Sequence, residues 1–145
     1  MTDFRIGFIA SKRKSLVNNL ISHQQSISTC VNSPSQYSAI TLNSVMDRVK
    51  FFRDYYLEDR NLILDEIPQF EPYKPHGGFY YFINLQEFGV KDAEKFSIDL
   101  LEKYSVSVVP GYAYGKGFVS WIRISFAVDQ NCLKKGIRKV KNYLF

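Results

Sequence analysis

In the stretch SWIRISFA, residues 120–127, an arginine stands in the middle of an apolar run. Strand alternation places Ile122, Ile124 and Phe126 on one face and Trp121, Arg123 and Ser125 on the other. The first face reads as core, and the second carries a fixed charge. A guanidinium without water or a partner is costly, so the Arg123 face must be wet, paired with a carboxylate, or open to an anionic ligand. Other candidate groups carry less chemistry. GYAYGKG, residues 111–117, looks superficially like a phosphate loop, but it lacks one spacer of GxxxxGK[ST], has Gly117 in place of Ser or Thr, and precedes a strand instead of a helix. His23, His76, Cys30 and Cys132 share no metal-ligand spacing and supply no disulfide framework. The aromatic clusters FFRDYY and FYYF could stack bases, yet at helical and strand spacing they read as core and interface.

The elements that must hold these residues follow from periodicity and turn chemistry. FRIGFIA, residues 4–10, reads as a strand, and the segment from Ser11 to Ser28 as a helix with Leu16, Val17, Leu20 and Ile21 on one side. Asn32, Ser33, Pro34 and Ser35 offer caps for a second helix starting near Ser35 and pausing around Asn43. A long helix is predicted from Ser44 to about Ile67, with Val45, Val49, Phe52, Tyr56 and Ile63 on a stripe. FEPYKPHGG is a loop, FYYFINL a strand, and Asp92 caps a helix whose buried side is Ala93, Phe96, Leu100 and Tyr104. VSVVPG and FVSWIRISFA are two further strands, and Asp129 caps a final helix with Leu133, Ile137, Val140 and Leu144 on one face. The second half is therefore a compact α+β unit. The first half pairs one strand with helices, and a lone strand needs neighbours, so residues 1–44 read as a piece of a larger domain.

At 145 residues, 46% hydrophobic and 23% charged, the chain has the composition of a cytosolic-type globular protein and can bury a core. No apolar run reaches the length of a membrane span, and the sequence after Met1 is not a secretory leader, so a cytoplasmic location is expected. The net charge of +5 raises nucleic acid as a partner, but Lys134, Lys135, Arg138, Lys139 and Lys141 surround the polar side of one amphipathic helix. A solvated helix face explains them, and neither nucleic acid nor membrane is expected.

Three segments, MTDFRIGF, PHGGFYYF and VVPGYAYGKGFVSWIRISFA, occur in an order and at spacings that resemble the C-terminal part of class I/II aminotransferases, the fold type I enzymes that use pyridoxal 5'-phosphate. The resemblance covers essentially the whole chain. It implies an α/β fold class: residues 1–44 end the large cofactor-binding domain of a pyridoxal-phosphate-dependent transferase, and residues 45–145 form its small α+β C-terminal domain. It implies that Arg5, in FRIG, contacts the cofactor phosphate and that Arg123, in WIRIS, binds the α-carboxylate of an amino or 2-oxo acid substrate. Tyr114 stands where the family commonly has phenylalanine. The motif places the Schiff-base lysine upstream of Met1, and Lys12 and Lys14 do not occupy that position, so no catalytic residue is expected in this chain and the chain alone is expected to be inactive. The intact protein implied is a homodimer that transfers an amino group from an amino acid to a 2-oxo acid, with pyridoxal 5'-phosphate as cofactor and no metal. Two alternatives stay open: another fold type I enzyme, such as a decarboxylase or synthase, and a stand-alone basic binding module.

Overall fold

The structure, a computed structural model, describes residues 4–145 and divides into two units, residues 1–50 and 51–145. In the first unit, helix α1 spans Lys14–Ile27 and helix α2 spans Ser33–Ile40. Asn32 starts α2 by accepting a hydrogen bond from the Ser35 amide at 2.9 Å, with Pro34 in the first turn where its missing N–H costs nothing. A 3₁₀ turn at Leu42–Val45 then leads into helix α3, Met46–Glu66, so the expected pause near Asn43 is present.

One expectation fails here. Residues 4–10 form no strand, because a β-rich apolar run is a strand only when another backbone completes its ladder, and none of the described residues pairs with it. Residues 5–10 are exposed and belong to no helix or strand.

The second unit is built around a three-stranded antiparallel sheet of order β1-β3-β2, with β1 at Tyr80–Asn84, β2 at Val109–Pro110 and β3 at Trp121–Ser125. Tyr81 faces Ile124 and Ile83 faces Ile122 across β1 and β3, which puts four apolar side chains on the buried face. Strand β2 is shorter than VSVVPG suggests, since only Val109 and Pro110 pair with β3, and Pro110 has no N–H to extend the ladder.

Helices α3, α4 (Ala93–Tyr104) and α5 (Gln130–Leu144) supply the rest of the core. Ile63, Ala93, Leu100, Leu133, Ile137 and Val140 join Ile67, Phe70, Phe126 and the sheet in one buried cluster. Both predicted caps are in place: the Asp92 carboxylate accepts from the Lys95 amide at 2.9 Å, and the Asp129 carboxylate accepts from Asn131 at 3.0 Å and Cys132 at 3.1 Å. Among the described residues, no helix is long and apolar enough to cross a membrane.

Candidate functional site

Strand β3 carries Arg123 as its period of two requires. Ile122, Ile124 and Phe126 are buried below it, while Trp121 and Arg123 are half-buried on the opposite face. Phe82 lies directly across from Arg123 on β1, and Val109 on β2, so the arginine sits in the central strand with neighbours on both sides. Its guanidinium carbon is 4.2 Å from the centre of the Tyr80 ring and 5.1 Å from that of Tyr114, within cation–π range of both. No described carboxylate forms an ion pair with it, and its Nε is buried without an acceptor. Of the three possibilities that the sequence leaves for this face, pairing with a carboxylate of the described chain is thus removed. Rings hold the faces of the cation, and its charge is uncompensated.

The chain between β2 and β3 forms the wall beside Arg123. Gly111–Tyr114 and Lys116–Phe118 are two 3₁₀ turns, joined at Gly115, whose φ of 138° is open to glycine and strained for other residues. A Cβ on Gly111 would press into the Phe118 carbonyl and come within 2.7 Å of the Trp121 Cβ, so only glycine lets the loop fold back onto the start of β3. Ser120 adds a tie by donating to the Asn84 side-chain oxygen at 2.9 Å, and its carbonyl accepts from the Leu85 amide at 2.8 Å. GYAYGKG is a wall of this site and not a phosphate cradle.

A larger cleft of about 420 Å³ opens elsewhere in this unit, between residues 105–108, the end of β3 and α5. It is the gap left where β2 stops pairing, floored by the core residues Val108, Ile124, Leu133 and Ile137. Lys139, on its wall, already donates to the Tyr104 carbonyl at 2.8 Å. Arg123, half-buried in the central strand with its Nε buried and without an acceptor, is the stronger candidate for chemistry.

Arg5 belongs to the first unit. Its backbone is left-handed, φ 43°, an uncommon conformation for a side chain with a Cβ, and its side chain is exposed. The neighbouring Phe4 carbonyl accepts a hydrogen bond at 2.9 Å from the Ser35 hydroxyl, a residue buried to 1% exposure at the start of α2. Ser35 is legible in the sequence only as a helix-cap residue. Its contact with Phe4 spans 31 positions and has no local signal. Each arginine has its own surroundings in its own unit.

The sequence profile described as "Aminotransferase class I and II" matches residues 1–140. The chain belongs to this family. An aspartate aminotransferase of Bacillus subtilis (strain 168) is 33% identical over 154 residues, covering 99% of this chain and 38% of its own length. Among solved structures, an aromatic aminotransferase from Pyrococcus horikoshii OT3 superposes with a TM-score of 0.82 at 28% identity, covering 98% of this chain and 39% of its own. An aminotransferase from Mycobacterium tuberculosis, at 23% identity, shows the same fold with a TM-score of 0.86 over 99% of this chain. This aminotransferase-family chain therefore spans a little over a third of the length of the proteins it matches, and its fold is that of their C-terminal part.

Pyridoxal 5'-phosphate is the cofactor that the family implies. The exposed Arg5 guanidinium forms no ion pair with any described carboxylate, and a free fork of donors suits a phosphate oxyanion. The residues present fit that group at this one contact.

Proposed function

We propose that this chain is the C-terminal portion of a pyridoxal-phosphate-dependent aminotransferase, in which Arg123 binds the α-carboxylate of an amino or 2-oxo acid and Arg5 binds the cofactor phosphate. The observation that carries the reading is the uncompensated Arg123 charge, held on the open face of a strand whose other face is core. The Tyr80 ring lies 4.2 Å from the guanidinium carbon, a contact that uses none of its N–H groups, so the fork can receive both oxygens of a carboxylate. When bound, the cofactor supplies the electron sink for amino-group exchange. Arg123 holds and orients the substrate, and Arg5 anchors the phosphate.

By the same reading, residues 1–44 end the large domain and residues 45–145 form the small one. The lysine that would carry the amino-group chemistry lies outside this sequence, so the chain alone has no transaminase activity. The whole protein works as a cytoplasmic homodimer on an amino acid and a 2-oxo acid. Family membership supports the reaction class and the cofactor.

The test joins residues 1–145 in register to the preceding residues of the Bacillus subtilis aspartate aminotransferase, replacing the matched segment. The chimera is expected to retain pyridoxal phosphate through dialysis and to transaminate. Arg123→Lys exchanges a fork for a point charge and is expected to lower kcat/KM about tenfold to a hundredfold with cofactor retention unchanged. Arg5→Lys is expected to loosen the cofactor first. Full activity in Arg123→Lys, or equal loss of cofactor in both variants, would sink the assignment.

A further inference from the structure

The cleft of about 420 Å³ between residues 105–108, the end of β3 and α5 has a lining unlike the face around Arg123. Its floor is aliphatic, made by Val108, Ile124, Leu133, Ile137 and Val140, and among the described residues no aromatic ring and no carboxylate lines it. Its rim carries Lys135 and Lys139, about one turn apart on α5, and the hydroxyls of Ser107 and Ser125. Ile124 lies on the opposite face of β3 from Arg123, so the two sites are on different sides of the strand.

Both walls are built to stay apart. The chain leaves α4 through Ser105, whose backbone is left-handed at φ 55°, and first pairs with β3 at Val109. The register of Val109 with Arg123 would set Ser107 against Ser125 two residues on, yet no backbone hydrogen bond joins them. Strand-edge donors and acceptors are thus left at the mouth. On the other wall, Gly136 stands in the middle of α5, where glycine costs helix stability. A Cβ at this position would meet nothing within 4 Å, so no packing among the described residues asks for glycine, and the missing side chain keeps the space open.

The rim charges have no partners. Lys135 and Lys139 form no ion pair with a described carboxylate, and like charges four residues apart on a helix repel. Lys139 is held in place by donating to the Tyr104 carbonyl at 2.8 Å, and its ammonium keeps two further N–H donors. An uncharged apolar ligand would leave the repulsion as it is, and a small hydrated anion would leave the aliphatic floor wet. We propose that this cleft binds a medium-chain aliphatic carboxylate, with its chain on the floor and its head group at the two lysines. The volume falls within the range of ligand pockets, about 300 to 1,000 Å³, and suits a chain of about eight carbons. The inference is independent of the role given to Arg123.

Calorimetric titration of the 145-residue chain with octanoate, butanoate and octylammonium tests it. Octanoate is expected to bind at least about thirtyfold tighter than butanoate, because each added methylene on an apolar floor is worth about fourfold. It is expected to bind at least about tenfold tighter than octylammonium, which brings the wrong charge to the lysines. Gly136→Leu fills the cleft from a position with room for its Cβ, and should abolish octanoate binding while helix content is kept. Gly136→Ala adds one methyl and should raise the thermal midpoint. Lys135→Glu, at an exposed position, should weaken octanoate at least about fivefold and strengthen octylammonium. The proposal is wrong if octanoate binds no tighter than butanoate or octylammonium, or if its binding is unchanged in Gly136→Leu and Lys135→Glu. The chimera described above should bind octanoate as the chain does; loss of binding there would show that the upstream polypeptide covers the cleft, and would overturn the ligand assignment.

Discussion

Among the described residues, the buried apolar side chains run from Ile63 to Val140, whereas Phe8, Ile9, Ile27, Tyr37 and Ile40 stand exposed in the first unit. Helix α1 has no buried residue over its 14 positions, although Leu16, Leu20 and Ile21 recur at helical spacing. Helix α5 has a similar length and buries Leu133, Ile137 and Val140. Both helices are amphipathic in sequence, and what separates them is the presence of a surface to pack on. The second unit pairs three strands and covers one face with three helices, so its apolar stripes meet one another. The first unit has helices and an exposed segment without strand pairing, and none of its described residues closes over them. Amphipathicity specifies that a face is to be covered, and the covering element decides whether burial stabilises it.

The largest expected consequence is in local stability. Amide hydrogen exchange on the full chain should show residues 122–124 and 133–140 exchanging through global opening, with protection at least about a thousandfold above that of α1. Equal protection in α1 and α5 would show that the first unit is stabilised by something other than its own burial.

Single substitutions sharpen the same contrast on a smaller scale. Phe70 is fully buried and packs edge-on against Phe88 at 5.6 Å, so Phe70→Ala should cost about 3–5 kcal/mol in chemical denaturation. Ile27 is 81% exposed, and Ile27→Ala should change the transition by less than about 0.5 kcal/mol. A large cost at Ile27 would mean that its face is covered in solution, as it would be by self-association, and sedimentation of the same samples would show it.

The contrast also explains which features were legible in the sequence. Helix ends were readable because a cap acts over three residues: Asp92, Asp129 and Asn32 each bond where turn chemistry puts them. The period of two placed Arg123 opposite the core, since alternation is local and one face of β3 had to be buried. Residues 4–10 have the composition of a strand without being one, because pairing is a property of two segments and only one is written there. The walls of the site were hidden for a related reason. FYYF reads as one aromatic block, yet Tyr81 turns into the core and Tyr80 and Phe82 turn out to the Arg123 face, and their partners Tyr114 and Phe118 come from a loop some thirty positions away.

The smallest expected effects come from two aspartates of the second unit that titrate in opposite directions. Asp59, on α3, is fully buried with no hydrogen-bond partner on either oxygen. Burial pushes its carboxyl above the usual carboxylate range; the nearby Gln130 amide offsets part of this, and the charges of Glu58 and Asp129 add to the rise. Asp99, on α4, accepts hydrogen bonds from the Lys103 ammonium and the Tyr143 hydroxyl, which hold its carboxyl below that range. A folded state that holds a proton more tightly than the unfolded chain loses stability as pH rises through that interval, so the penalty at Asp59 is absent in acid and full at neutral pH. The contribution of Asp99 runs the other way: it is present at neutral pH and lost as pH falls. Acidification thus relieves one group while it removes the support of the other. Asp59→Asn, a neutral side chain of the same shape, should stabilise the chain by about 1 kcal/mol at neutral pH and make its loss of stability in acid steeper than in the wild type. Asp99→Asn should lower stability slightly at neutral pH and make the acid side shallower. Denaturation midpoints for the three proteins between about pH 4 and pH 7 resolve the two slopes, and parallel profiles for all of them would show that neither carboxyl changes its proton affinity on folding.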